Sequence, residues 1–285
     1  MRMRVLVIVV TYNGTPWLEK CLGSALLPGG EDLQTDVLVV DNCSSDGSPE
    51  FVKTHFPQVQ LIENQDNAGF GAANNIGLRE AIEEGYDFAY LLNQDAYLLP
   101  GTLAELVRAA AEAERFAVLS PLQMQPGGAE YDANFARRAV PAKLPSSLYE
   151  VPRVMAAHWL VRVEALKEVG IFAPIFKHYG EDDNLCDRLR AAGWKIGVLP
   201  SVKAIHDRAL RREPKDKIIR RNYYVKSLAD LCNPGRPLAL QWAGVAVYTL
   251  VKTVKYLSFE PLRYFFRLIS ERKDILRTRR ISKFA

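Results

Sequence analysis

The sequence predicts an α/β fold in which a doubly wound, mostly parallel sheet is flanked by helices. Apolar segments of strand length alternate with segments of helical periodicity over the first 200 residues. Several strand segments are apolar throughout, which is typical of strands covered on both faces. The chain has 285 residues, of which 48% are hydrophobic and 25% charged, as in soluble globular proteins. This composition excludes collagen-like, coiled-coil and low-complexity proteins.

Strands and helices alternate regularly over the first 120 residues. Val5–Val10 is a continuous and mostly β-branched apolar run, so it predicts a first buried strand. Ser48 followed by Pro49 is typical of the start of a helix. The predicted strands are Val5–Val10, Val37–Val40, Val59–Ile62, Phe88–Leu92 and Ala117–Leu119. The predicted helices are Pro16–Leu27, Ser48–His55, Ala72–Glu84 and Thr102–Glu114.

The second part of the chain opens with a different kind of segment. Residues 121–152 contain five prolines and little periodicity, which predicts a long irregular connection over the surface. Regular elements are predicted again after this connection. They are strands at Val154–Val161 and Lys195–Leu199, and helices at Glu164–Val169, Glu181–Ala192, Leu238–Leu257 and Glu260–Arg280.

Charge is distributed unevenly along the chain. Residues 1–200 hold 17 Lys+Arg and 26 Asp+Glu, whereas residues 201–285 hold 20 and 7. An acidic body with a basic C-terminal part predicts a polyanionic partner, and anionic lipid head groups and phosphates both qualify. No nucleic-acid recognition motif accompanies the basic part, so we do not expect nucleic acid as the partner.

The cysteine pattern predicts a reducing cytoplasm as the location of the protein, and the apolar runs are too short for a membrane span. Four cysteines lie far apart without CxxC spacing, which argues against a zinc site or a disulfide framework. The longest uncharged stretch of interest for a membrane is Pro237–Val251, with 15 residues, and a spanning helix needs about 20. We therefore expect no transmembrane helix.

Polar clusters follow the predicted strands and should meet at one edge of the sheet, where ligands of such folds bind. The clusters lie in VTYNG, VVDNCSSDGS, ENQDNAGFGAANNIG and LLNQDA, and a fifth motif, YGEDDNLCDRLRAAGWKIGVLP, comes later. Taken singly, each of the first four is equally typical of a turn. Their order and spacing, however, closely resemble those of family-2 inverting glycosyltransferases with the GT-A fold. The resemblance covers about residues 5–230 and is greatest to bacterial rhamnosyltransferases and galactofuranosyltransferases.

This resemblance implies an activity and a division of the chain. The implied reaction moves a sugar from dTDP-rhamnose or a UDP-sugar to a hydroxyl of a cell-envelope glycan or lipid-linked acceptor. It implies a GT-A domain over residues 1–232, with a nucleotide-sugar-binding half at 1–120 and a catalytic half at 121–232. Residues 233–285 would form a helical basic extension. The implied location is the inner face of the cytoplasmic membrane.

Donor recognition is assigned by the resemblance to three of the polar clusters. Tyr12 and the backbone of Thr11–Asn13 would wall the base, and Asp41 would accept a hydrogen bond from a uracil or thymine imide. In the third cluster, glycines allow close backbone approach and asparagines offer hydrogen bonds to ribose or phosphate. These residues are Asn67, Gly69, Gly71, Asn74 and Asn75. Their spacing does not match the dinucleotide fingerprint, which disfavours a nicotinamide enzyme.

A metal site is implied at Asn93-Gln94-Asp95, the place of the family's Asp-x-Asp motif. Asn93 replaces the first carboxylate, so Asn93 and Gln94 are assigned to donor binding. Asp95 remains a hard oxygen ligand for Mg²⁺ or Mn²⁺, and His206 stands where relatives have a further ligand. Arg208 and Arg212 follow in a stretch that resembles the loop closing over donor phosphates. A solvated basic surface is the alternative for these arginines.

The catalytic base is implied at Glu181-Asp182-Asp183, which opens a predicted helix. Asp182 is the first choice for accepting the proton of the acceptor hydroxyl, and Asp183 the second. A cluster that merely caps the helix is the alternative, because carboxylates are favourable at a helix N-terminus. Trp194 could stack on an acceptor sugar or belong to the core.

The basic C-terminal helices mix aromatic and cationic side chains, which is typical of a segment lying on an anionic membrane. A packed helix with a solvated basic face, or an oligomer contact, is the alternative. Two other functions stay open on the sequence. One is a non-catalytic carbohydrate- or lipid-binding protein with this fold. The other is a nucleotidyltransferase, although Thr11–Trp17 lacks the Gly-rich basic loop typical of that class.

Overall fold

The computed structural model describes residues 2–27, 29–30, 32–177, 179–208 and 215–280, with the backbone alone for 215–222. The strands are β1 (Met3–Thr11), β2 (Leu33–Asp41), β3 (Gln60–Glu63), β4 (Phe88–Asn93), β5 (Ala96–Leu98), β6 (Phe116–Met124), β7 (Tyr149–Glu150), β8 (His158–Arg162) and β9 (Lys195–His206). The helices that lie between strands of the sheet are α1 (Thr15–Ala25), α2 (Ser48–His55), α3 (Phe70–Glu83), α4 (Thr102–Glu112), α5 (Ala133–Ala139), α6 (Val163–Val169) and α7 (Glu181–Ala191). The C-terminal helices are α8 (Lys215–Cys232), α9 (Leu238–Tyr256), α10 (Glu260–Ser270) and α11 (Arg272–Arg279).

All nine strands form one sheet in the order β3-β2-β1-β4-β8-β6-β9-β5, with β7 beside β9. Strands β1 to β4 are parallel to one another, as the alternation of strands and helices predicts. Beyond β4 the sheet is mixed: β8 runs antiparallel to β4 and β6, whereas β9 runs parallel to β6. This confirms the α/β fold class and adds antiparallel strands in the second half.

Register brings the ends of the strands to one edge. Thr11 pairs with Asp41, and Val10 pairs with Asn93, so the polar clusters that follow β1, β2 and β4 lie side by side. His206, the last residue of β9, pairs with Ala96 of β5, the residue after Asp95. The edge predicted for ligand binding therefore gathers residues from four strands.

The core lies on both faces of the sheet, which explains why the first strand is apolar throughout. In β1, Leu6 and Ile8 belong to one buried cluster, and Val5, Val7 and Val9 belong to the other. All five side chains are at most 1% exposed. Successive residues of a strand point to opposite faces, so a strand covered on both sides needs apolar residues at every position.

Several elements differ from the prediction. Residues 121–152 are not irregular throughout, because β6 runs on to Met124 and the segment contains α5 and β7. Helix α5 begins where the Asp132 carboxylate accepts hydrogen bonds from two backbone N–H groups at 2.8 and 2.9 Å. Strand β8 starts only at His158, and β9 continues through Pro200 to His206. The predicted helix 260–280 is two helices that meet at Glu271.

The C-terminal helices share a third buried cluster, separate from the two on the sheet. Leu228 and Leu231 of α8 pack there with Leu268 and Ile275 of α10 and α11. Arg279 of α11 donates to the carbonyl of Leu231 at 2.7 Å. A boundary after residue 232 would separate α8 from helices it packs against, and the predicted division of the chain stays a prediction. Within the part of the chain that the structure describes, no helix is long and apolar enough to cross a bilayer.

Candidate active site

Asp41 ends β2 in a buried position and keeps one oxygen available. Its Oδ2 accepts a hydrogen bond from the Ser44 N–H at 2.9 Å. Its Oδ1 is buried and has no hydrogen-bond partner among the described residues. A buried acceptor without a partner costs free energy unless a ligand supplies a donor. Asp41 thus fits the predicted contact with an imide N–H.

The loop after β1 is held rigidly by Gln94 and Asn13. Gln94 Oε1 accepts hydrogen bonds from Thr11 Oγ1 at 2.9 Å and from the Tyr12 N–H at 2.7 Å. Asn13 has a left-handed backbone (φ 50°), and its Oδ1 accepts from the Ser45 N–H at 2.9 Å. The Tyr12 side chain remains 47% exposed. Gln94 and Asn13 thus fix the shape of the loop, and the Tyr12 ring stays exposed to solvent and accessible to a ligand.

The glycine and asparagine segment leads into α3 and lies against the start of α7. Gly69 has a φ of 86°, and a Cβ there would lie 2.3 Å from the Lys177 carbonyl oxygen, so only glycine fits. A Cβ on Gly71 would lie 3.5 Å from the side chain of Glu181. The start of α3 therefore lies directly against the start of α7. Asn67 is exposed beside them, and its Oδ1 accepts from the Gly69 N–H at 3.0 Å.

Asn74 and Asn75 make contacts inside the protein. The Asn74 carboxamide donates to the Phe70 carbonyl at 2.9 Å. Asn75 uses both of its polar groups on the Phe172 backbone, at 2.9 and 3.0 Å. Both residues are at most 8% exposed. This placement corrects the prediction that they bind ribose or phosphate, because their side chains hold α3 and the segment before α7 in position.

Asp95, in the turn between β4 and β5, lies next to His206 at the end of β9. Asp95 Oδ1 lies 3.5 Å from His206 Nε2, and the two residues are 1% and 2% exposed. The Asn93 Oδ1 is also buried and has no hydrogen-bond partner among the described residues. A carboxylate and an imidazole are ligand types that Mn²⁺ or Mg²⁺ accepts, with phosphate oxygens and water completing the shell. Although the described residues contain no group of three such side chains, this pair fits a divalent cation that also binds a diphosphate.

Asp132 lies near the Nδ1 atom of His206, on the side of the ring away from Asp95. The sequence does not predict this contact. The Asp132 Oδ2 lies 3.6 Å from His206 Nδ1 and 2.9 Å from Arg208 Nε. Arg208 Nε also lies 3.4 Å from His206 Nδ1, so Asp132 and Arg208 both lie against the Nδ1 side of the ring, while Nε2 is the ring nitrogen nearer Asp95. The contact with Asp132 places Arg208 beside the pair, and its role in binding donor phosphate stays a prediction. Arg212 lies outside the described residues.

The three carboxylates at the start of α7 differ in environment. Asp183 is ion-paired with Arg138 at 2.8 Å, and Arg153 lies 3.7 Å away. Asp182 makes no ion pair with any described side chain, and burial, followed by the charge of Asp183, raises its pKa to about 6. Glu181 is 5% exposed, and burial raises its pKa to about 8, with Asp182 adding to the rise. Of the three, Asp182 is therefore the best general base near neutral pH.

A short backbone segment before β8 connects Asp182 to the other groups. The Asp182 carboxylate accepts a hydrogen bond from the Ala156 N–H. The Ala157 carbonyl accepts from the Asn93 N–H at 3.1 Å. The Met155 Sδ lies 3.5 Å from Arg208 Nη2. Three successive residues thus contact Asp182, the strand end before Asp95, and the arginine beside His206, so one short backbone segment links these groups.

Comparison with known proteins identifies the family of this chain. The sequence profile described as "Glycosyl transferase family 2" matches residues 6–170, more than half of the chain. The chain belongs to glycosyltransferase family 2. Its match includes Asp41 and Asp95, and the resemblance inferred from the sequence motifs is confirmed.

Relatives of this glycosyltransferase, and solved structures that are similar to it, agree with this family. An N-acetylglucosaminyl-diphospho-decaprenol L-rhamnosyltransferase of Mycobacterium tuberculosis is 29% identical over 71% of this chain and 76% of its own length. An undecaprenyl-phosphate mannosyltransferase of Micrococcus luteus is 28% identical over 70% and 82%. The mannosyltransferase PcManGT of Pyrobaculum calidifontis, solved with GDP-Man and Mn²⁺, has a TM-score of 0.59 at 20% identity. That alignment covers 98% of this chain and 86% of PcManGT. It supports the GT-A fold.

Trp194 is not at the active site of this glycosyltransferase. Trp194 precedes the first residue of β9, whereas His206 is the last residue of that strand, so the two residues lie at opposite ends of β9. Its indole N–H donates to Glu168 Oε2 at 2.8 Å, and the Arg115 guanidinium lies 5.8 Å from its ring. Trp194 therefore packs at the far end of α7, which corrects the prediction that it stacks on the acceptor.

Other functional residues of this glycosyltransferase carried a weak sequence signal or none. Asp132 has the pattern of a helix cap, which identifies the start of α5 and says nothing of His206. Arg138 lies in the segment predicted to be irregular and Arg153 directly follows it, yet both lie close to the Asp183 carboxylate. Met155 to Ala157 act through two backbone groups and a sulfur atom. Backbone contacts of this kind depend on tertiary position, so the residue types at these positions do not predict them.

Proposed function

We propose that this enzyme transfers one sugar, with inversion, from a nucleoside-diphosphate donor to a hydroxyl of a cell-envelope glycan precursor. The observation that supports the proposal is the segment Met155–Ala157, whose residues contact Asp182, Asn93 and Arg208 and so link Asp182 to the surroundings of the Asp95–His206 pair. An inverting transfer needs a proton acceptor on one side of the anomeric carbon and stabilisation of the leaving diphosphate on the other. The two sets of residues can supply those roles.

Asp182 is the base in this proposal. Its carboxylate accepts the proton of the acceptor hydroxyl as that oxygen bonds to the anomeric carbon. The bond from that carbon to the diphosphate oxygen breaks in the same step, and the electron pair leaves with the nucleoside diphosphate. Because attack and departure occur on opposite faces, the anomeric configuration inverts. Asp183 is held by Arg138 and is less suited to the role.

Asp41 supports a uridine or thymidine donor. The imide N–H of uracil or thymine matches the buried Oδ1 that has no partner among the described residues. The exposed Tyr12 ring would lie against the base. We propose dTDP-rhamnose first and a UDP-sugar second, because a relative at 29% identity is named a rhamnosyltransferase.

Asp95 and His206 would hold a Mg²⁺ or Mn²⁺ ion in this proposal. When bound, such an ion stabilises the negative charge on the departing diphosphate. Asp132 and Arg208 keep their own roles around the ion site. The first orients His206, and the second brings a guanidinium close to that histidine.

The acceptor is proposed to be lipid-linked, and the enzyme to work at the inner face of the cytoplasmic membrane. Relatives at 28–29% identity are named for decaprenol- and undecaprenyl-linked substrates. The basic C-terminal part is suited to that surface, since anionic head groups attract clustered lysines and arginines.

Release of nucleoside diphosphate from a panel of dTDP- and UDP-sugars with Mn²⁺ tests this function. We expect release with at least one donor, greatly reduced in Asp182→Asn and only slightly reduced in Asp183→Asn. NMR of the glycoside formed by transfer to a hydroxyl should show an anomeric configuration opposite to that of the donor sugar. Equal activity in wild type and Asp182→Asn, or retention of configuration, would contradict the proposal.

A further inference from the structure

Exposed apolar side chains are concentrated in the C-terminal helices. Among the described residues, fifteen large apolar side chains are exposed, and eleven of them lie between positions 240 and 276. The remaining four are Tyr12, Leu27, Leu144 and Tyr179, scattered over the catalytic region. Single exposed apolar residues are normal, whereas a contiguous set marks a contact surface.

Most of these side chains form one stripe on α9, which we call the α9 stripe. It consists of Leu240, Val247, Leu250, Val251, Val254 and Leu257. Their exposed fractions run from 55% for Val251 to 93% for Leu257. Positions separated by three, four or seven residues share a helix face, so the five side chains from Leu240 to Val254 point the same way, and Leu257 directly follows the end of α9.

The opposite side of α9 is already occupied. Val245 is 4% exposed in the third buried cluster, and Thr249 is 1% exposed, with its hydroxyl bonded to Tyr223. The Trp242 ring packs on Phe265 of α10 at 6.0 Å. A helix held on this side cannot turn its stripe inward without breaking that cluster.

The segment from Phe259 to the end of α10 adds mainly two strongly exposed apolar side chains to this surface. Phe259 is 82% and Phe266 is 66% exposed. Leu262, Tyr264 and Phe265, which the sequence also favours for membrane contact, are partly buried. The structure thus moves the candidate surface from the aromatic α10 to the aliphatic α9.

Lysines and tyrosines border the α9 stripe along one side. Lys252 Nζ lies 5.1 Å from the ring centroid of Tyr248 and 5.3 Å from that of Tyr256. Lys255 is exposed on the same flank, one helical turn after Val251. Lysines with long apolar stems and tyrosines with polar tips are suited to the boundary between lipid and water.

We propose that the α9 stripe, with Phe259, is a docking surface for an anionic lipid bilayer, on which α9 lies parallel to the membrane plane. This inference rests on the proposed function insofar as a lipid-linked acceptor requires the enzyme at a membrane. The chain beyond residue 232 has eleven Lys+Arg and three Asp+Glu, so its charge complements anionic lipid. A symmetric contact with a second copy would instead bring like charges together.

Vesicle flotation with the full-length protein tests the surface without using activity. One set of vesicles contains phosphatidylcholine alone, and the other equal parts of phosphatidylcholine and phosphatidylglycerol. Wild type should float with the mixed vesicles and much less with the neutral ones, and added salt should weaken binding. The double variant Val251→Glu/Val254→Glu should bind the mixed vesicles at least about tenfold more weakly.

The matched control is Leu27→Glu/Leu144→Glu, which adds the same charge at exposed apolar positions of the catalytic region. We expect it to float like wild type. Equal flotation of the two double variants would overturn the proposal, and so would a wild-type dimer that binds no vesicles and becomes monomeric in Val251→Glu/Val254→Glu. Donor hydrolysis in the absence of vesicles, unchanged in that variant, shows that it folds. Loss of vesicle binding with intact hydrolysis separates failure of docking from failure of the proposed activity.

Discussion

The catalytic region and the C-terminal helices use polar and apolar side chains in opposite ways. In the catalytic region, Asp41, Asp95 and Glu181 are buried to 5% exposure or less, at the edge where the strands end. In the C-terminal helices, Leu257 and Phe259 are more than 80% exposed. Burial raises the pKa of the Glu181 carboxyl, while exposure leaves an apolar side chain available for contact with another surface. One region is therefore suited to chemistry and the other to contact.

The largest effect is expected at Asp182. Asp182→Asn keeps the size of the side chain and removes the proton acceptor, so the transfer rate should fall by roughly 10²–10⁴. Asp183→Asn is the matched control, since its ion pair with Arg138 gives it a structural role. Steady-state transfer rates of the two variants, with circular dichroism to confirm folding, provide the measurement. A larger loss of rate in Asp183→Asn than in Asp182→Asn would identify Asp183 as the general base instead.

A smaller loss is expected when the cation ligand is changed. Asp95→Asn should lower the transfer rate by roughly 10²–10³ and weaken the Mn²⁺-dependent binding of UDP or dTDP. Removal of divalent ions from wild type by a chelator should give a similar loss, restored by added Mn²⁺. Calorimetric titration of the nucleotide with and without Mn²⁺ measures the binding part. Full activity of wild type in the chelator would contradict the role of Asp95.

Stability measurements sharpen the contrast between exposed and buried apolar residues in the C-terminal helices. Leu228 is 1% exposed in the third buried cluster, so Leu228→Ala should reduce the free energy of unfolding by about 2–5 kcal/mol. Val254 is 73% exposed, and Val254→Ala should change it by less than about 0.5 kcal/mol. Urea unfolding of the two variants and wild type checks both values. A large loss in Val254→Ala would show that the α9 stripe is packed within the protein.

The pH dependence of transfer should report the raised pKa of Asp182. The base works only when deprotonated, and burial raises its pKa to about 6. Below pH 6 the deprotonated fraction falls tenfold per unit, so the rate at pH 5 should be about a tenth of its plateau value. Above pH 7 this group no longer limits the rate. A profile that stays flat down to pH 4.5 would show that Asp182 titrates normally or is not the base.

The sequence predicts best where local pattern and tertiary role coincide. The apolar run of β1 identifies a strand buried on two faces, and the motif around Asp95 lies at the predicted edge. Prediction fails where position depends on distant chain segments. Trp194 follows the catalytic helix in sequence, but the eleven residues of α7 carry it to the far edge of the sheet. Asn75 looks like a polar ligand and instead bonds to Phe172, 97 residues away. Residue type alone could not separate these cases.

A crystal structure with Mn²⁺ and an unreactive analogue of the sugar donor tests the central claim most directly. Anomalous scattering should place the metal within bonding distance of Asp95 and His206, and the Asp182 carboxylate should face the anomeric carbon from the side opposite the diphosphate. A metal bound elsewhere, or a sugar whose anomeric carbon lies beyond the reach of Asp182, would contradict the account.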